Sequence, residues 1–540
     1  MFQLIVRGGL VVDGTGKAGY LADIGIEDGK IAVIDRSMTL NAETEREIDA
    51  NGLVVCPGFI DIHSHSDRSV VRDPGSGSSL VQGITTEVTG MCGGSMAPLS
   101  DKAAESYEKA AKQYSQEEFG IPWRGVGEYL DYVDKMEPGT NQCLMIGQGT
   151  IRSNILGRET RYPTEEEMFL MRDMVSQGME EGAFGITTGR AYVPGCYSSI
   201  KEIVALCEVV AQYDGLHSSH IMDQWTNVDW ATLEIVDVSA RSGVRGQIAH
   251  QKVVGKDNWG RADEIVSIVE DARYAGIDIM ADVYPYTYSQ VMLLKNELPR
   301  DVRKLEDPEL LEVLKEPDFV EKLRDHFKKS AGYTSSRLYQ YGIVHCEKTK
   351  EYEWMDIGEA ANAMGLDIPA AVVKLLIDND LKVKIAGIMS ENDLRTILAC
   401  PFVMIGTDAV SGNPEKDAED AKKYSSLHPR HYGTYPRVLG KYAREEKLIP
   451  LEQAIMKMTY MPARRCNILD RGRILRGYWA AIVIFNPEEI CDTATVENPA
   501  SLPVGINYVI VNGKIAVENG TLTGVRGGRA LRDSHHRMVY

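Results

Sequence analysis

The chain has 540 residues, 44% apolar and 25% charged, the balance of a globular protein able to build a core of useful size. A formal net charge of −19 argues against binding a nucleic-acid backbone or an anionic membrane. Nine cysteines, odd in number, scattered and without a CxxC pair, argue against a disulfide framework or a structural zinc finger.

The first 57 residues read as short strands, at 2–6, 23–27 and 30–34, separated by glycine-rich breaks. The start lacks a basic segment, a long apolar stretch and a small-residue cleavage site, so no signal peptide is expected. No apolar run reaches the ~20 residues that span a bilayer. A reduced cytoplasmic protein is the expectation.

The middle of the chain alternates. Strands are expected at 58–62, 85–88, 143–146, 184–187, 216–219, 247–249, 277–283 and 403–406. Helices lie between them. Residues 163–181 open with Thr164 and carry Glu167 three residues on, a capping box. Residues 262–274 show helical apolar spacing and end near Gly276. Eight alternating units predict an α/β fold, a (β/α)8 TIM-like barrel spanning 58–471. A doubly wound sheet fits less well, because polar residues fall at strand ends spread over the whole repeat, and only a closed ring gathers them. About 120 residues separate the seventh and eighth strands, so 288–342 reads as an insertion able to act as a lid. Strand texture returns at 481–485 and 508–511, followed by the hairpin turn Asn512-Gly513. Residues 1–57 and 472–540 are therefore expected to form one small β-sandwich domain from both termini.

Chemistry enters at the strand ends. The first barrel strand runs into His63-Ser64-His65. Alternate residues of a strand face one side, so both imidazoles can approach one ion. His220 and His250 lie 30 residues apart, about one βα unit, each after a short apolar run. His217 reads as a hydrogen-bonded structural residue. Val403-Met404-Ile405-Gly406-Thr407-Asp408 delivers a carboxylate at the last strand. Taken singly, each residue has a bland reading as a strand-end polar group or a helix cap. Taken together, they converge on one barrel end as a metal site.

This set, in this order, resembles the amidohydrolase superfamily. Thr89-Gly90-Met91-Cys92-Gly93-Gly94-Ser95 with Ala97-Pro98, Asp282-Val283-Tyr284-Pro285-Tyr286-Thr287, the segment from His428 to Gly440, and Tyr478-Trp479-Ala480 narrow the resemblance to the N-acyl-D-amino-acid deacylases (D-aminoacylases). That resemblance implies zinc-dependent hydrolysis of the amide of N-acyl-D-amino acids, with a small-molecule substrate. It implies Zn(2+) held tightly by Cys92, His220 and His250, a second, weaker site at His63 and His65, and Asp408 as the catalytic acid/base. It implies Lys252 as the partner of the substrate carboxylate, with Tyr284 and Tyr192 as companions. A cyclic-amide hydrolase of hydantoinase or dihydroorotase type is the alternative. Residues 183–189 contain no lysine to bridge two metals, which weighs against it. A scaffold without catalysis is the reading from another class.

The chain departs from the family where Gln148 and Gln251 replace the usual histidines, at Tyr288-Ser289-Gln290, and at Arg190, where leucine is common. Arg190 is a candidate for pairing with an acidic substrate side chain; a surface ion pair is its other reading.

Overall fold

The computed structural model describes residues 1–115, 120–299, 301–302, 305–329, 338–423 and 427–533. Positions 300, 303–304 and 330–337 of the expected excursion at 288–342, and the last seven residues of 472–540, lie outside the described residues.

Both ends of the chain pair in one nine-stranded sheet. From the N-terminal side come β1 (Leu4–Val11), β2 (Tyr20–Glu27), β3 (Lys30–Asp35), β4 (Glu47–Asp49) and β5 (Val54–Pro57). From the C-terminal side come β18 (Ile482–Phe485), β19 (Ile506–Val511), β20 (Lys514–Glu518) and β21 (Thr521–Leu522). The order is β21-β20-β19-β18-β5-β1-β2-β3, with β4 beside β1. Asn512 and Gly513, at φ 50° and 84°, make the tight turn between β19 and β20, the left-handed geometry that suits a two-residue hairpin.

The middle holds the strands that position the site. These are β6 (Phe59–Asp61), β7 (Ile84–Thr89), β8 (Asn141–Leu144), β9 (Ile146–Gly147), β10 (Gly185–Gly189), β11 (Leu216–His220), β12 (Arg245–Ile248), β13 (Ile279–Val283) and β17 (Val403–Ile405). Their pairings are parallel, in the orders β6-β7-β8 and β17-β13-β12-β11-β10-β9. Only Met145 separates β8 from β9. Beyond β6 and β17 the chain pairs again: His65 N donates to Ala409 O at 2.8 Å and Asp408 N to His63 O at 2.8 Å. Ile60, Val88, Cys143, Phe184, Leu216 and Met404, from or next to strands of both parallel sheets, form one buried cluster.

Helices follow the strands. Helix Glu165–Glu180 starts where Thr164 accepts from Glu167 N and Glu167 accepts from Thr164 N. Helix Ala262–Tyr274 occupies the expected span. Between β13 and β17, β14 (Met292–Leu293), β15 (Tyr341–Cys346) and β16 (Val383–Gly387) form a separate antiparallel sheet with its own apolar cluster. Among the described residues, no single helix is long and apolar enough to cross a membrane.

Candidate metal centre

Four donor groups, from His63, Cys92, His250 and Asp408, place one ligand atom each within 4.8 Å of one another. All four residues lie just past a strand end, after β6, β7, β12 and β17. Cys92, His250 and Asp408 have positive φ, at 55°, 35° and 51°. Left-handed backbone at non-glycine residues costs on the order of 1–3 kcal/mol each and concentrates at functional sites. Here it occurs just past the ends of three of the parallel strands, β7, β12 and β17.

Cys92 sits at the centre. Its Sγ is 3.5 Å from His63 Nε2, 3.6 Å from His220 Nδ1 and 3.5 Å from His250 Nε2. His65 Nε2 is 3.1 Å from Asp408 Oδ1. The family resemblance divides these groups into one trio, Cys92, His220 and His250, and a pair, His63 and His65. In the structure the most convergent set takes His63 from the pair, while His220 and His65 flank it.

Carboxylates and amides behind the cluster fix the rings. Asp282 Oδ1 lies 3.2 Å from His63 Nδ1 and accepts from His250 N at 2.8 Å. A carboxylate on that side of the ring keeps the imidazole turned with Nε2 toward Cys92. The Gln224 amide meets His250 Nδ1 at 3.1 Å. Asp61 accepts from His63 N, Thr407 N and Thr407 Oγ1 at 3.1, 2.9 and 2.6 Å, tying the two loops together; burial pushes its carboxyl up to about 7.

Charge is concentrated here. Burial alone would raise the Cys92 thiol, but His63 and His250 hold it well below its ordinary value. Burial likewise opposes ionisation of Asp408, yet Arg430, His250 and the histidines at 63 and 65 keep it well below the carboxylate range. Burial, then Lys252 and His220, push His250 down to about 4. A thiolate among three imidazoles is a donor set suited to zinc.

The cluster opens into a cavity of about 920 Å³, lined by His65, Cys92, Tyr192, His220, His250, Asp408 and Arg430 among others. Tyr192 Oη is 3.2 Å from His220 Nδ1. Lys252 and Tyr284 are buried behind this wall. The Lys252 ammonium and the Arg430 guanidinium each stand 4.9 Å from the Tyr284 ring centroid. Burial pushes the Lys252 ammonium down to about 8.

Lys252 follows His250 past the end of β12 at Ile248, where the chain turns through positive φ, and it does not line the cavity. Of the two readings of Arg190, the structure shows the ion pair. Its guanidinium is held by Glu234 in a short ion pair and donates to Ser198 O at 3.2 Å, outside the cavity wall. His217 is structural, buried with Nε2 2.9 Å from Thr188 Oγ1. Sequence reasoning passed over Arg430, which pairs with Asp408 at 2.9 Å, and Gln224. Arg430 was visible only as one position within the motif from His428 to Gly440.

The profile of the amidohydrolase family matches residues 46–217 and 318–517. The D-aminoacylase of Alcaligenes xylosoxydans xylosoxydans is 33% identical over 530 residues, covering 98% of this chain and 97% of that protein. Among solved structures, the N-acyl-D-glutamate deacylase of Bordetella bronchiseptica, complexed with zinc and a phosphonate mimic of the tetrahedral intermediate, is 29% identical with a TM-score of 0.75. The likeness covers 98% of this chain and 99% of that one. A D-aminoacylase structure describing a binuclear metal centre, with one-metal activation and second-metal attenuation, is 31% identical with a TM-score of 0.76, over 98% of this chain and all of that one. With the parallel strands above, these likenesses make the central region a TIM-barrel-type domain.

Proposed function

The chain belongs to the amidohydrolase family, and from that premise we propose that it hydrolyses the amide bond of N-acyl-D-amino acids to a carboxylate and a free D-amino acid, using zinc. The observation that carries this reading is the convergence of His63, Cys92, His250 and Asp408 within 4.8 Å, with a paired arginine at the same mouth.

The tighter ion is assigned to Cys92, His220 and His250, and a second, weaker one to His63 and His65. The central place of Cys92 Sγ, within reach of His63, His220 and His250, supports a thiolate that would hold the tighter ion. As in the relative with a binuclear centre, one ion is the activating one. When bound, zinc lowers the pKa of water to ~7 and polarises the scissile carbonyl. Asp408 accepts the proton of the attacking water and returns it to the leaving nitrogen. Arg430, backed by Lys252 and Tyr284, holds the substrate α-carboxylate. Tyr192 orients the substrate beside His220.

The parallel path that meets itself at Ala409 supports a closed (β/α)8 barrel over 58–471. The pairing of β5 with β18 within one sheet supports a small β domain built from 1–57 and 472–540. The separate sheet of β14, β15 and β16 supports an insertion that takes in 288–342 and continues to Gly387; a lid role for it rests on Gln290 lining the cavity. A thiolate zinc ligand favours a reducing, cytoplasmic setting, with neither nucleic acid nor membrane as partner.

A panel of N-acetyl-D- and N-acetyl-L-amino acids incubated with the zinc-loaded protein tests the reading. Amine release from D-substrates is expected. Release from L-substrates alone, or from none, would sink it.

A further inference from the structure

We propose that the cavity continues past the metal centre as an acyl-binding arm that takes an acyl group longer than acetyl and ending in an anion, such as a monoacylated dicarboxylic acid; this rests on the deacylase reading above.

The two halves of a trans amide leave the carbonyl carbon in opposite directions. With the amino-acid half held at Arg430, the acyl half runs away from it, across Cys92 and His220. The cavity has a wall on that side. Tyr192, whose hydroxyl is 3.2 Å from His220 Nδ1, leads into Val193 and Pro194. Tyr107 continues the apolar lining. Methylene groups are suited to such a wall.

Lys102, on helix 101–115, and Arg158, just past helix 148–155, line the cavity on the same side. The two helices touch each other, and the second touches the turn at 195–197 beside Pro194. Both side chains are exposed to water. Among the described residues neither takes part in an ion pair, unlike Arg430, and the only carboxylate lining the cavity is Asp408, already engaged by Arg430 and His65. A cavity lined by three Lys/Arg cations and one carboxylate, in a chain of net charge −19, selects a ligand with negative charge beyond the one Arg430 neutralises. Gly94 also lines this space. A Cβ built on it meets nothing within 4 Å, so a larger residue there occupies the arm rather than the fold.

The test compares N-glutaryl, N-pentanoyl and N-(4-aminobutanoyl) derivatives of the best-accepted D-amino acid, with N-acetyl as reference, on the zinc-loaded enzyme. Rim charge pairs are individually weak and screened by salt, so glutaryl should exceed pentanoyl by roughly three- to tenfold in kcat/KM at low ionic strength, with the gap closing as salt is added. The cationic derivative should be the poorest. In the double variant Lys102→Glu/Arg158→Glu the order of glutaryl and aminobutanoyl should invert. Gly94→Leu should lower the glutaryl-to-acetyl ratio. Equal rates on the three long substrates, or an order that survives the charge swap, would overturn the proposal. Calorimetric binding of glutarate against pentanoate, to the parent and the double variant, reads the arm without turnover. If no N-acyl-D-amino acid is cleaved, the deacylase reading fails. Charge-dependent glutarate binding would then still support the arm, and its absence would overturn that too.

Discussion

Arg430 Nη1 and Asp408 Oδ2 form a 2.9 Å ion pair at the cavity mouth, while Arg430 Nη2 donates to Gln290 Oε1 at 3.0 Å. The guanidinium is thus shared between the proposed acid/base and a neutral amide. A substrate carboxylate arriving at Arg430 competes with Asp408 for the same donors and leaves Asp408 more basic when the water must lose its proton. Arg430→Met should therefore impair every N-acyl-D-amino acid. Charge-assisted hydrogen bonds of about 1.5–3 kcal/mol correspond to a roughly 10- to 150-fold loss in kcat/KM. A variant with the parent's kcat/KM would place the substrate carboxylate elsewhere.

Asp408→Asn keeps the shape of the side chain and removes its proton acceptor. Turnover should fall by about 10²–10⁴-fold. Zinc content should stay near that of the parent, because Cys92, His220 and His250 remain. Metal analysis beside steady-state rates separates the outcomes. A loss of zinc in step with activity would make Asp408 a ligand first and a proton carrier second.

Cys92→Ala removes the donor at the centre of the histidine cluster. Zinc stoichiometry and activity should fall together, and Cys92→Ser should restore little of either, since a hydroxyl is a far poorer ligand than a thiolate. Full zinc with full turnover in Cys92→Ala would reduce this thiol to a packing residue.

Much of this was legible in the sequence. All eight expected barrel strands overlap observed ones; those at 58–62, 143–146, 277–283 and 403–406 read as short, mostly apolar runs, as buried parallel strands do, while β10 and β11 carry more polar residues. Helix Ala262–Tyr274 was bounded by a periodic apolar face and a following glycine. The residues bearing the chemistry were legible as a set of strand-end positions. Their directions were not. Cys92, His250 and Asp408 leave their strands through positive φ, so strand alternation stops applying before the site. Arg430 and Gln224 lie outside the strands, and only folding shows their distance from Asp408 and His250.

Arg190→Leu should leave the ranking of D-amino-acid side chains unchanged, because Arg190 faces Glu234 and the Ser198 carbonyl rather than the cavity. Its effect should fall on stability instead. The pair is mostly buried, at 15% and 17% side-chain exposure, and removing one partner leaves Glu234 without its cation. A loss of about 1–3 kcal/mol is expected by chemical denaturation. A ranking shifted toward apolar side chains would return Arg190 to the substrate.

Lys457 is an ammonium buried far from this chemistry, donating to Val403 O at 2.9 Å and, in a shorter contact, to Cys400 O. Burial pushes it down from 10.5 to about 8. Between those values the unfolded chain carries a proton that the folded chain lacks. Stability rises with pH wherever the unfolded state binds more protons. The burden of charging Lys457 is therefore full below about pH 8 and is relieved as pH climbs toward 10.5. Buried thiols and phenols such as Cys56, Cys207 and Tyr435, all pushed upward, pull the whole protein the other way. The measurement must accordingly be a difference. Lys457→Met has no titrating group at this position and keeps the same packing volume to first order. Comparing denaturation midpoints of the parent and this variant at pH 7.5 and at pH 10 cancels the cysteines and tyrosines. The balance should move toward the parent at the higher pH by up to about 3 kcal/mol, at 1.36 kcal/mol per pKa unit. Parallel behaviour of the two proteins across that window would mean that Lys457 titrates normally, with water reaching it beside the Val403 carbonyl.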